Sequence, residues 1–492
     1  MTEHRLMSWW RSGVVAVALL AACTKPNPQS CQDGTCTDPA LPFCDLDGAL
    51  AGEAETCIPV ACTANEFVAC RGDRAITCNT TGTDYDLVQC ERGCTEAASG
   101  CRLCEQNETI CTNGKTQTCD ANGAVVSSEV CALGCFEDQP RCRDVDPSNG
   151  LATYVDMVAS PSDLDLDGAV IYTESGEILE GDVPVAGVPT FLATPAVGGV
   201  PIRVVVVRNL RLADVHIFSR ASERTGVLAW TGPAIAFVAT GTITVAGRLV
   251  ASGGAGGSVV PSCVGGNSAP AERDCVPGGG GGGHATAGAV GGNACEAGGT
   301  AGAFSGTESL SPLRGGCPGG GRDGFMGSPG GGAVQLTSRR SIEVLATIDV
   351  RGESIGDPAA PYFVTGGGAG GAILIEAPKV TLGVGANLIA IGGAGGSGYA
   401  NGYVPPPPMD DGLARAGTPC TTVSNLCGAG GAGAAPGSPA TPGTNTNQPL
   451  ATAGGGGGGL GRARINTPDR TYSKVNTVVE GAATTVGTLA TR

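Results

Sequence analysis

Val334-Gln-Leu-Thr-Ser-Arg-Arg-Ser-Ile-Glu-Val-Leu-Ala-Thr-Ile-Asp-Val-Arg-Gly352 places apolar residues at Val334 and Leu336, Ile342 and Val344, and Ile348 and Val350. Pairs at period two, separated by short polar breaks, read as strand, turn, strand, turn, strand over about 20 residues. Alternation directs the six side chains to one face. The template occurs earlier with identical spacings, at Ile235, Phe237, Ile243, Val245, Leu249 and Ala251, then Gly253. It occurs later at Ile373, Ile375, Val380, Leu382, Leu388 and Ala390, then Gly392, with two spacings altered by one or two residues. Three short strands sharing an inward face make a triangular coil, and repeated coils cover one another's apolar faces by stacking. Residues 202–217 supply a further coil, and the segment after Leu460 begins a last one. The expected fold is mainly β: small disulfide-rich repeats followed by a glycine-rich right-handed parallel β-helix over 148–492. A β-sandwich is the alternative.

The coils are separated by insertions, 253–332 and 392–459, in a chain with 83 glycines among 492 residues. Glycines precede Val334, Ile373 and Leu460, and Gly-Gly-Ala-Gly-Gly follows at Gly253 and Gly392, so the insertions are expected to leave one corner and share a face. Such composition reads either as disorder or as polyproline-II-like strands packed through absent side chains. Cys263, Cys275, Cys295 and Cys317 in the first insertion, and Cys420 and Cys427 in the second, are positioned to staple them.

A second repeat lies upstream. Cys62-x7-Cys70-x7-Cys78-x11-Cys90-x3-Cys94-x6-Cys101 is followed by Cys104-x6-Cys111-x7-Cys119-x11-Cys131-x3-Cys135-x6-Cys142. These define repeat units at 62–103 and 104–147. Units this small, poor in large apolar residues, cannot offset chain entropy by burial alone, so covalent links are expected. Three disulfides per unit follow, with the pairing open among 15 arrangements. Cys31, Cys36, Cys44 and Cys57 make two more in a tether and short Cys-rich segment, 23–61. Cys101-x2-Cys104 has a zinc-like spacing but straddles the repeat junction. The repeat resembles the Cys-rich modules of large exported proteins from predatory and social soil bacteria.

The chain start, 1–22, has signal-peptide layout: Arg5 and Arg11, then an apolar run too short to span a bilayer, then small residues. Leu20-Ala-Ala-Cys23 resembles a bacterial lipobox. The resemblance implies that Cys23 is lipidated and that the protein is held to a membrane by acyl chains. Thr24, in place of an aspartate, implies an outer-membrane lipoprotein, at the cell surface or the periplasmic face.

The formal charge is −16 with no basic block, which excludes a nucleic-acid partner, since phosphates need clustered Lys and Arg. Asp163, Asp165, Asp167 and Glu174, with Gly168, match the spacing of an EF-hand calcium loop. Their flanks are strand-like, so the simpler reading is an acidic turn entering a strand. No cofactor motif occurs. His216 lies in an expected strand, and His284 ends a glycine run without a neighbouring acid. Asp349, Arg351, Arg339 and Arg340 are crowded, and read as solvent-facing positions. Fold analogy alone licenses no enzyme assignment. The expected role is binding or structural, adhesion or envelope contact, with an extracellular polysaccharide or envelope protein as partner. A β-helix carbohydrate-active enzyme is the alternative.

Overall fold

The computed structural model describes residues 29–492 except 32–33, 51–52, 97–98, 137–138, 195–199, 220–231, 252–256, 258–261, 271–274, 323–326, 355–363, 398–425, 449–450 and 476–478. The chain divides into two compact units, Met1–Cys142 and Arg143–Arg492.

In the first unit each repeat forms a three-stranded antiparallel sheet. One comprises Phe67–Arg71, Arg74–Cys78 and Tyr85–Gln89; the other comprises Thr109–Thr112, Lys115–Cys119 and Val125–Val130. Asn113 and Gly114 both have positive φ (54° and 70°), the pair a tight hairpin requires to match strand twist. The pairing of cysteines is the same in both repeats. Cys62–Cys78, Cys70–Cys94 and Cys90–Cys101 correspond to Cys104–Cys119, Cys111–Cys135 and Cys131–Cys142. In order of sequence, the first cysteine joins the third, the second the fifth and the fourth the sixth. Upstream, Cys31–Cys44 and Cys36–Cys57 close a short hairpin of Phe43–Asp45 with Thr56–Ile58. The first repeat buries one large aliphatic side chain completely, Ile76; its other fully covered groups are mainly cysteines. Cross-links therefore carry much of the stabilisation that a hydrophobic core supplies in larger units.

The second unit is a stack of three-stranded coils. Its first face is Ile202–Val207, Ala234–Ala239, Ala333–Ser338, Ala372–Glu376, Arg462–Thr467 and Ala483–Thr488, all parallel. The second face runs from Leu164–Asp167 through Leu210–Ala213, Thr242–Val245, Ser341–Val344 and Lys379–Leu382 to Ser473–Lys474. The third runs from Ala169–Tyr172 through Val215–Phe218, Leu249–Ala251, Thr347–Asp349 and Asn387–Ile389 to Val479–Gly481. Successive coils add one strand to each face, which is the architecture of a parallel β-helix. Antiparallel strands close the early end: Thr190–Ala193 beside the first face, and Glu177–Glu180 with Val183–Pro184 beside the third.

The register follows the sequence template. Ile235, Val334 and Ile373 are paired in adjacent strands, as are Phe237, Leu336 and Ile375. Ile243, Ile342 and Val380 align on the second face, and Leu249, Ile348 and Leu388 on the third. These residues form one buried cluster with Phe237 its largest member. The first face is also covered outside. Leu151, Val155, Leu310 and Leu313 pack on Val204, Val206, Ala236 and Leu374. Burial on both sides explains why 204–207 is unbroken valine rather than alternating.

Candidate functional site

The long connections between coils all run from the third face to the first: after Phe218, Ala251, Asp349 and Ile389, returning at Ala234, Ala333, Ala372 and Arg462. They share one corner. Their described glycine-rich parts are ordered, as polyproline-II-like strands in a bundle. The run 278–283 shows the pattern. Gly278, Gly279 and Gly280 donate to Gly292, Val364 and Gly266; Gly281, Gly282 and Gly283 donate in turn to Ala289, Gly367 and Cys263. Their carbonyls accept from Gly299, Gly456 and Gly320, then from Gly302, Gly459 and Cys317. Direction repeats every third residue, as in a helix of three residues per turn. Six neighbouring segments thus surround one central strand. An isolated polyproline-II strand has no internal hydrogen bonds, so its buried amides are satisfied only by these lateral partners.

Glycine is required by closeness here, not by backbone angle. A Cβ on Gly281 would lie 1.9 Å from the Gly457 carbonyl oxygen, and one on Gly280 1.9 Å from that of Thr300. Two disulfides mark opposite ends. Cys263–Cys317 joins strands beside Gly283, near the β-helix. Cys275–Cys295 joins them at the far end, where Val276, Cys427 and Thr452 are bridged and Gly396 meets Thr365. Cys427 is also disulfide-bonded. Cys420 lies outside the described residues, as do Cys23 and the signal segment.

The acidic series lies along an extended strand rather than around a loop, since Leu164–Asp167 is the opening strand of the second face. Asp163 is held by Arg208 through two bonds of 2.8 and 2.6 Å, and by Asn209. Arg208, with Asn209 assisting, pushes the Asp163 carboxyl down to about 2. Asp165 pairs with Arg211 at 2.8 Å, and Glu174 accepts from the Ser219 hydroxyl. Among the described residues these four carboxylates do not form a converging group of metal ligands. Two sets of sulfurs do converge, Cys31, Cys36 and Cys44, and Cys111, Cys131 and Cys135. All six are in disulfides and offer no thiolate to a metal. Cys101 and Cys104, the zinc-like pair, are bonded to Cys90 and Cys119 respectively.

Of the crowded charges Arg340 is exposed, as expected, whereas Asp349, Arg351 and Arg339 differ from the expectation of solvent-facing positions. Asp349 is buried, with Arg351 at 2.5 Å and Arg248 at 2.6 Å. Burial works against its charge, but the two arginines outweigh it and hold the carboxyl below its ordinary range. Arg339 pairs with Asp144 at 2.7 Å, in a group with Arg492 and Asp156. Alternation misled because third-face strands are only three or four residues long and turn neighbours fold back over their outer side. His216 stacks on Phe218, 5.9 Å between centroids, on the strand Val215–Phe218.

Two polar sites were invisible in the sequence because their members are far apart in it. Glu376 is fully buried, and among the described residues no cation pairs with it. Its oxygens accept from the Ser148 hydroxyl (2.6 Å) and amide, Gln335 and Thr337 (3.0 Å each), and Asn466 (3.0 Å). The five donors fasten 148–149 to three successive coils. The other site is His284, whose Nδ1 lies 3.0 Å from the Gly370 carbonyl oxygen. Burial, reinforced by the positive charge of Arg462, pushes His284 down to about 4. It is therefore a neutral imidazole near pH 7, donating through Nδ1.

No helix among the described residues is long and apolar enough to cross a membrane. Comparison with protein-family models, with curated proteins and with solved structures finds no match to this chain.

Proposed function

We propose that the chain is an exported, membrane-anchored lipoprotein with a binding or structural role, adhesion or envelope contact, and that the far end of the glycine bundle is its contact region. Cys23 carries the anchor. The observation that carries the reading is the joint use of disulfides and a rigid bundle. Ten disulfides among the described residues suit an oxidising compartment. The bundle provides a fixed scaffold in the chain's long connecting segments, and a scaffold of that kind favours recognition by loops. In sequence, those segments hold Phe325, Tyr362, Phe363, Tyr399 and Tyr403, in a chain with only 4% aromatic residues. Aromatic side chains contribute large contact areas to polymers and protein surfaces alike. The partner class is an extracellular polysaccharide or an envelope protein.

Two experiments test this. Incorporation of labelled fatty acid that is abolished by Cys23→Ala supports the anchor; absence of label, or label surviving the substitution, rejects it. A glycan array followed by an activity screen on the hits separates binding from catalysis: turnover of a bound glycan replaces this reading with a carbohydrate-active enzyme.

A further inference from the structure

Arg462 opens the first-face strand Arg462–Thr467, on the outward side, and only 6% of it is exposed. Its Nε and Nη2 are buried and have no hydrogen-bond partner. Those two N–H groups are the parallel edge of a guanidinium, the edge that grips two oxygens of one oxyanion. The same molecule shows that edge in use, where Arg208 holds Asp163 through Nε at 2.8 Å and Nη2 at 2.6 Å. The Arg462 edge is built alike and has no partner among the described residues.

The surroundings are those of a site. The His284 ring, 1% exposed, bonds the Gly370 carbonyl through Nδ1 while the Arg462 backbone amide bonds that of Gly371, so the imidazole ring lies one residue along from the base of the Arg462 side chain. The His284 Nε2 is likewise buried and unpartnered. A Cβ on Gly306 would sit 3.5 Å from that nitrogen, so the chain passes there without a side chain to fill the space. Phe304 covers the guanidinium, its ring centroid 4.9 Å from Cζ, and is itself 58% exposed, so its rotation opens a route from solvent. Glu308 is near enough for its charge to act on Arg462, yet no hydrogen bond joins them. A desolvated guanidinium with an empty two-donor edge is costly to leave unmatched.

We propose that Arg462, with His284 beside it and Phe304 as cover, binds a small oxyanion through two of its oxygens, the chemistry shared by a carboxylate and a phosphate. Glu308 opposes entry by its like charge. A bound anion also offsets the Arg462 charge, which adds to burial in keeping His284 neutral, so binding is coupled to proton uptake at the imidazole and tightens as pH falls.

The test is isothermal titration of the full chain with sodium acetate and, separately, sodium phosphate at constant ionic strength. Wild type is compared with Arg462→Lys, which keeps the charge but lacks the edge, and with Glu308→Gln. The His284 resonance is followed in parallel, one of only three histidines in the chain. Saturable binding of either anion, weakened at least tenfold by Arg462→Lys, strengthened by Glu308→Gln and accompanied by a rise in the His284 pKa, supports the site. The anion that binds names the source class. If neither anion binds wild type or Glu308→Gln, or if Arg462→Lys binds equally well, the proposal is overturned. It is overturned too if Glu308→Gln lowers the melting temperature as Arg462→Lys does without permitting binding, since Glu308 is then the natural occupant. Should Arg462→Lys fail to fold, Glu308→Gln and the histidine titration still decide it.

Discussion

Replacing Gly281 by alanine tests whether the bundle is held by backbone closeness. The new Cβ would lie 1.9 Å from the Gly457 oxygen, where contacts below 3.0 Å are not tolerated, so segment 456–459 must retreat by at least 1.1 Å. Two bonds tie that segment to the central strand, Gly456 to Gly279 at 2.9 Å and Gly459 to Gly282 at 2.8 Å. Both would lengthen to about 4 Å, beyond any useful hydrogen bond. Each broken bond leaves buried groups unsatisfied at about 1–3 kcal/mol, so the pair costs about 2–6 kcal/mol. Alanine returns only about 0.4–1 kcal/mol through the unfolded chain. The net expectation is a loss of about 1–6 kcal/mol. Val290→Ala is the control, because that side chain is 47% exposed on an outer strand, and its change is expected within about 0.5 kcal/mol. The assay is urea denaturation followed by circular dichroism, with amide hydrogen exchange across 278–283 read by mass spectrometry. A Gly281→Ala protein that loses less than about 1 kcal/mol and keeps those amides protected would refute the packing argument.

Phe237→Ala leaves a cavity at the centre of the β-helix and is expected to cost about 3–5 kcal/mol in urea midpoint terms. Asp349, whose folded pKa is depressed, contributes stability that is present above its unfolded pKa and lost as pH falls through the folded one. The stability gap between wild type and Asp349→Asn should therefore be open at about pH 7 and close in strong acid; a gap independent of pH contradicts the pairing. Replacing Cys131 and Cys142 together by serine removes one cross-link from a repeat with little core, an expected loss of about 2–5 kcal/mol measured on thermal unfolding of that region. Glu376→Leu, which strands five donors, should destabilise more than Glu376→Gln, which still accepts through its carbonyl; equal melting temperatures would deny the clasp.

The β-helix was legible because its period is local. Six apolar positions recur within some 20 residues, and a register slip of one would turn all of them outward, so template and register are the same information. Ile235, Val334 and Ile373 could be aligned by eye and are neighbours in the sheet. Disulfide pairing was not legible, because a cysteine's position along the chain does not say which hairpin edge faces which. Once the sheets form, Cys70 and Cys94 come to 5.5 Å between Cα atoms, and Cys111 and Cys135 to 6.2 Å. The glycine bundle was half legible. Composition admits either disorder or close packing, and what selects packing is tertiary.

That selection comes from the β-helix itself. The segments 328–332, 364–371 and 454–461 lead directly into Ala333–Ser338, Ala372–Glu376 and Arg462–Thr467, which are consecutive neighbours on the first face. Their ends are therefore delivered about 4.8 Å apart and parallel before any glycine contact forms. Laying a free polyglycine strand beside another costs roughly 1–2 kcal/mol per residue in chain entropy, more than one lateral hydrogen bond returns. Strands already tethered at one end lose less, and a central strand such as 278–283, bonded on six sides, gains two bonds per residue, one through N–H and one through C=O. The coil stack thus acts as the nucleus, and the two disulfides at opposite ends of the bundle fix strands that the stack does not itself tether. It follows that damage to the stack should release the bundle, whereas damage confined to the bundle should leave the stack intact. In Phe237→Ala, protection across 278–283 should fall together with that of the first face; in Gly281→Ala, the first-face amides should stay protected while those of 278–283 exchange.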